Sequence, residues 1–304
     1  MKVAVTGASG LIGSALVATL RQGGDQVATL VRRSPAAADE IAWDPRADRG
    51  GVPPDALAGV DAVVHLAGAG LADHRWTEAY KEEIRVSRVA GTHAMAGLLA
   101  SMDHPPAVLL SGSAIGWYGD TGGREVDESA PGGHGFLPSV VQDWEAAAEP
   151  ARQAGVRVAY LRSGIVLSRR GGVLGRLLTP FRLGLGARLG PGTQFMSWVA
   201  LADWTRAAQF LIGQPDMSGP VNITSPNPVT NAAFTAALAG VLHRPARLAI
   251  PSPVLTAALG GVSSDLLSSA RVRPTRLLDA GFTFSYPDLA GALAAELHTA
   301  GSAA

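Results

Sequence analysis

The sequence predicts an α/β protein built on a doubly wound parallel sheet, followed by a smaller C-terminal α/β subdomain. Two observations carry this reading. Short strands rich in Val, Leu and Ala alternate with helical stretches over residues 1–167, and such alternation gives βαβ units with helices on both faces of a sheet. A glycine-rich turn stands between the first strand and the first helix, where an open parallel sheet forms its binding crevice.

Lys2–Thr6 is the first strand. The helix Leu11–Arg21 follows, with Ile12, Leu16 and Leu20 at helical spacing and Gly23-Gly24 ending it. Gln26–Val31, Ala62–Leu66, Val108–Ser111 and Arg157–Leu161 read as further short buried strands, and another strand position precedes Asp44. Thr77–Leu99 contains no proline and carries Tyr80, Ile84, Met95, Leu98 and Leu99 toward one face. Thr77 suits its N-cap and Glu78 its first turn. From about residue 168 the pattern loosens, and Gly171-Gly172, Gly184, Gly186, Gly190 and Gly192 read as loops. The second region, 168–304, returns partly to the core. It ends in a module of short helices over about 245–298, punctuated by Pro251, Pro253, Pro274 and Pro287.

Composition narrows the function classes. Twenty-five basic residues balance 25 acidic ones, so no excess charge draws a polyanion and nucleic acid is not expected as a partner. There is no cysteine, which excludes disulfides, thiolate catalysis and Cys-based metal sites. The seven histidines show no metal-ligand spacing. Three apolar residues before the Thr6-Gly7 turn are too few for a secretory core, and no apolar run is long enough to span a bilayer. The cytoplasm is therefore the expected location. A monomer and a homodimer remain open.

Thr6, Gly7, Ala8, Ser9, Gly10, Leu11, Ile12 and Gly13 form the strand–turn–helix junction. Gly7 permits the tight turn, Gly10 clears the approach of a pyrophosphate, and Gly13 lets helix and strand pack closely. Free N–H groups and the helix dipole then favour an anion. After the second strand, the acidic residue that would accept the ribose hydroxyls of NAD is missing, and Arg32-Arg33 stand there. Guanidiniums suit a 2′-phosphate, so the expected cofactor of this Rossmann-type core is NADP(H) rather than NAD(H). A solvated basic turn is the alternative. Asp44 is a weaker candidate for an adenine-side contact.

Several motifs carry a likeness to a known family. Thr6–Gly13, Val63-Val64-His65-Leu66-Ala67-Gly68, Val89-Ala90-Gly91-Thr92 and Ser111-Gly112-Ser113-Ala114 resemble extended short-chain dehydrogenase/reductases of the epimerase/dehydratase type. More narrowly, Arg75-Trp76-Thr77, Lys81, Ser87-Arg88, Trp117-Tyr118-Gly119, Asp143-Trp144-Glu145, Leu161-Arg162-Ser163-Gly164 and Ser197-Trp198-Val199 resemble an atypical subgroup placed with nucleoside-diphosphate-sugar epimerases. Its short C-terminal module, of unknown role, corresponds to about Pro245–Ala295. The resemblance implies cofactor contacts at Thr6–Gly13 and at Leu66, Ala67 and Gly68, beside a small hydroxyl- or carbonyl-bearing substrate such as a nucleotide sugar.

The family's Tyr-x-x-x-Lys pair is absent. Ile84, Gly122, Gly164 and Ala290 stand four residues after the four tyrosines, and Phe136-Leu137-Pro138-Ser139-Val140-Val141 fills the expected place. Ser113 matches the family's catalytic serine and could orient substrate, or close a turn. Tyr118 is the nearest phenol, or a packing aromatic. Lys81 is one of only two lysines; it could hold the ribose or lower a phenol's pKa, or pair with Glu78 on the helix surface. Arg75, Trp76 and Arg162 are candidate substrate contacts. Two functions follow: an NADP-dependent oxidoreductase or epimerase, or a non-catalytic NADP(H)-binding sensor or scaffold.

Overall fold

The computed structural model describes residues 1–71, 73–259 and 267–298. The elements of its first half are β1 Lys2–Thr6, α1 Leu11–Gln22, β2 Gln26–Val31, β3 Glu40–Ala42, β4 Ala62–His65, α2 Glu78–Ala100, β5 Val108–Ala114, β6 Glu125–Val126, α3 Phe136–Ala146, α4 Glu149–Gln153 and β7 Arg157–Ser163. A seven-stranded sheet runs in the order Gly219–Ile223, β7, β5, β4, β1, β2, β3, and every pairing in it is parallel. Strand order reverses beside β1: β2 lies on one side and β4 on the other. The crevice above the ends of β1 and β4 is thus the switch point where such sheets take ligands.

Both faces are covered, which is why the strands read as continuous apolar runs. One core layer joins Val3, Val5, Leu16, Leu20, Val64 and Leu110 to Trp204, Leu211 and Phe282. The other joins Ala4, Leu30, Val63 and Leu109 to Met95, Leu98, Leu99 and Trp43. Helix α2 starts as its cap predicts, with Thr77 Oγ1 accepting from the Tyr80 N–H.

The strand Gly219–Ile223 is not among those the sequence predicts, although it brings the second region back to the core sheet. Pro220 and Asn222 argue against a central strand, but this one lies at the sheet's edge, where a missing N–H is tolerated. The loops expected after residue 168 also contain helices. Gly171-Gly172 open α5, Gly172–Arg182, and Gly184 follows its end; α6, Leu201–Ile212, and the helix Asn231–Leu242 come next. These glycines punctuate helices rather than replace them.

The C-terminal segment is bonded into the first half. Arg271–Val272 pairs with β6, Leu277, Phe282 and Phe284 enter the core layer of β1 and β4, and Arg276 Nη1 donates to the Ser218 and Pro220 carbonyls at 2.6 Å each.

Candidate functional site

The turn after β1 is built to leave backbone open. Gly7 has φ +68, and a Cβ there would lie 2.8 Å from the Leu66 carbonyl carbon. A Cβ at Gly13 would collide with the Gly7 carbonyl oxygen. Both positions therefore require glycine for close approach. Ser9 and Gly10 are exposed, and α1 begins at Leu11 with no side-chain cap on its N-terminus. An uncapped N-terminus over a crevice is an anion site in waiting.

Thr6 ties this turn to the end of β4. Its Oγ1 accepts from the N–H groups of Leu66 at 3.0 Å and Ala67 at 3.2 Å, so its own hydrogen goes to His65 Nδ1 at 2.9 Å. The ring hydrogen of His65 must then sit on Nε2, which has no partner among the described residues. The imidazole stands edge-on to Trp43, with centroids 5.6 Å apart. Burial pushes the His65 pKa down to about 4, keeping the ring neutral.

On the β2–β3 side a cavity of about 420 Å³ is lined by Arg32, Trp43, Asp44 and Arg46, with Glu83, Val86, Ser87 and Ala90 of α2 opposite. The structure separates the two arginines that the sequence left together. Arg33 is taken: its guanidinium donates to Glu40 at 2.8 and 2.5 Å and to the Ser34 carbonyl at 3.0 Å. The Arg33 hydrogen bond, with further backbone donors, holds the Glu40 pKa down at about 2. Arg32 is exposed and has no hydrogen bond or ion pair among the described residues. Asp44 reaches the cavity while its Oδ1 accepts the Arg46 N–H at 2.9 Å.

The β5–β7 side is the opposite case. Ser113 is 4% exposed, and its hydroxyl donates to Glu145 Oε1 at 2.6 Å. Arg162 meets Glu145 through two bonds of 2.8 and 2.9 Å, lies 3.9 Å over the Trp117 ring, and donates to the Tyr118 hydroxyl at 3.2 Å. That hydroxyl donates in turn to Asn222 Oδ1 at 2.8 Å. Asn222 N–H donates to Glu128 Oε1, and its side-chain amide to the Arg273 carbonyl. Burial raises the Tyr118 pKa, with Arg162 pulling against it. The structure thus brings Ser113, Tyr118 and Arg162 together, but inside one buried network. Glu145, which organises it, was missed as a functional candidate; the signal available was a lone arginine inside the apolar run of β7, which demands a partner.

The remaining candidates lie around the start of α2. Lys81 donates to Glu78 at 2.8 Å and sits 5.6 Å from the Phe136 ring centre. Trp76 Nε1 donates to the Leu71 carbonyl, and its ring meets Phe136 edge-on. Arg75 is exposed. Val140 and Val141 of α3 are buried. Among the described residues no cluster of three or more His, Asp or Glu could hold a metal ion, and no helix is long and apolar enough to cross a membrane.

A doubly wound sheet with an open glycine turn at its switch point defines a dinucleotide-binding protein. The chain belongs to the NAD-dependent epimerase/dehydratase family, whose model matches residues 3–224. Residues 250–296 match a domain of unknown function. An epimerase family protein of Mycobacterium bovis is 47% identical over 96% of each chain. Among solved structures, the human epimerase family protein SDR39U1, with NADPH, superposes with a TM-score of 0.90 at 32% identity, covering 98% of this chain and 100% of that one. A nucleoside-diphosphate sugar epimerase of Corynebacterium glutamicum superposes with a TM-score of 0.81 at 37% identity, covering 98% of this chain and 58% of that one.

Proposed function

We propose that the protein binds NADP(H) across the ends of β1 and β4, and uses it as an oxidoreductase or epimerase on a small hydroxyl- or carbonyl-bearing substrate of the nucleotide-sugar kind. The observation that carries the cofactor choice is Arg32. It is a guanidinium without a partner among the described residues, at the edge of the Trp43–Asp44 cavity, directly after the end of β2, where NAD-binding proteins place a carboxylate. The donors present fit the cofactor: an uncapped helix N-terminus for the pyrophosphate, Arg32 for the 2′-phosphate, and the Leu66–Gly68 turn alongside. The bound dinucleotide would supply hydride transfer.

Proton transfer has to come from this chain. The Ser113 hydrogen is given to Glu145, which leaves its oxygen as an acceptor for a substrate hydroxyl. Tyr118 can release or take a proton only by breaking its bond to Asn222. These commitments favour a second reading, an NADP(H)-responsive binding protein without turnover. Two measurements decide between them. Calorimetry should show NADPH binding about 10–100 times tighter than NADH, and equal affinities remove the basis for the cofactor choice. Oxidation of bound NADPH by any member of a carbonyl panel establishes the enzyme, and failure of every member favours the binding protein.

A further inference from the structure

Among the described arginines that are not fully exposed, five are well supplied with partners. Arg85 meets Asp143 and Ser139, Arg162 meets Glu145 and Tyr118, Arg271 meets Glu125 and the Gly123 carbonyl although its Nε is buried without a partner, and Arg276 meets two carbonyls. Arg157 lacks a carboxylate but donates to the carbonyls of Leu211, Ile212 and Met217. Arg88 is the exception. Its hydrogen bond is a single one, from Nη1 to the Ile84 carbonyl at 3.1 Å on its own helix, and its guanidinium lies 5.1 Å from the Trp144 ring centre. A guanidinium has five N–H groups, and half-buried Arg88 commits only one of them to the protein, leaving the rest open to a ligand. Burial lowers the Arg88 pKa to about 10.

Its position shows what it lacks. The side chain packs against the turn after β4: a Cβ on Gly68 would lie 3.4 Å from Arg88 Cγ and 3.7 Å from its Nη1. Trp144 beneath it packs on Gly112 of β5. Arg88 therefore stands on the β4–β5 side of the switch point, while the Arg32 cavity stands on the β2–β3 side. A dinucleotide with its adenosine in that cavity and its pyrophosphate at α1 carries its other half toward Arg88. The α3 positions where a lysine would meet that half are the buried Val140 and Val141.

We propose that Arg88 is the cation that binds the nicotinamide half of the dinucleotide, donating to its ribose hydroxyls and to the phosphate that carries them, in place of the absent lysine. This rests on the NADP(H) reading above.

The test titrates wild type, Arg88→Met and Arg88→Lys with NADPH and with 2′,5′-ADP, which has the 2′-phosphate end but no nicotinamide ribose. Wild type should bind both. Arg88→Met should weaken NADPH about tenfold or more while leaving 2′,5′-ADP unchanged, as expected for lost bonds to a charged group. Arg88→Lys should recover part of the loss. Without ligand, Arg88→Met should melt at the wild-type temperature or above it, because an under-partnered cation has been removed, yet its NADPH-induced rise in melting temperature should shrink. A lower melting temperature without ligand, an unchanged NADPH affinity, or equal loss of both ligands overturns the proposal. Arg88→Gln provides the same comparison if the Met variant does not fold. Failure of wild type to bind either ligand overturns the NADP(H) reading itself, whereas binding of 2′,5′-ADP with no effect of Arg88 overturns the Arg88 role alone.

Discussion

The two sides of the crevice treat their polar groups in opposite ways. On the β1–β2 side the donors are left open: α1 has no cap, Ser9 and Gly10 face outward, and Arg32 has no partner among the described residues. On the β5–β7 side Ser113, Tyr118, Glu145 and Arg162 are bonded to one another and to Asn222, and the Ser113 oxygen keeps acceptor capacity for a substrate. Open donors cost little when water reaches them and are ready for a ligand. Closed ones reflect the demand that buried charge be satisfied. The difference teaches where to look for binding and where to look for stability.

The largest expected effect would break the closed side. Arg162→Met strands Glu145 without its cation, and loss of one partner of a buried pair costs about 3–5 kcal/mol. Denaturant unfolding reads this directly. A loss below about 1 kcal/mol would mean that the network is not holding β5, α3 and β7 together.

A smaller effect sharpens the boundary between the sides, at His65. The folded pKa, about 4, lies below the ordinary value of roughly 6.5. The unfolded chain thus binds the extra proton across that interval. Stability from the neutral ring is complete above about pH 6.5 and is lost as pH falls toward 4, by up to about 3 kcal/mol. His65→Gln should flatten the stability profile between those values; an identical profile in the variant would assign the pH dependence elsewhere.

The smallest effect on the fold falls on the open side. Arg32→Ala should leave unfolding unchanged while removing most of the preference for NADPH over NADH, about 1.5–3 kcal/mol of binding. Arg33→Ala should change that preference far less, because Glu40 already holds Arg33. Equal effects from the two substitutions would show that the Glu40 pair opens when cofactor arrives.

The open side was legible in the sequence because it is local. Thr6–Gly13 sits within one strand–turn–helix unit, and α2 announces its own start at Thr77. What remained hidden depends on tertiary contact. Arg32 and Arg33 follow one another just past β2, and only the folded chain shows that Arg32 lines the cavity while Arg33 turns to Glu40. Glu145 and Arg162 come from α3 and β7, and nothing in either segment names the other. The strand Gly219–Ile223 was hidden by Pro220 and Asn222, residues that its edge position permits and its interior position would not.

That edge position gives the C-terminal segment a consequence for solubility. An outer strand offers unpaired carbonyls on which another chain can dock and extend the sheet. Here Pro220 removes one donor, Arg276 occupies the carbonyls of Ser218 and Pro220, and Arg273 offers its own carbonyl to Asn222. Residues 271–284 thus act as a cover strip along the seventh strand. A chain ending before residue 250 would keep its crevice but lose this strip, and would be expected to self-associate through the bared edge of Gly219–Ile223.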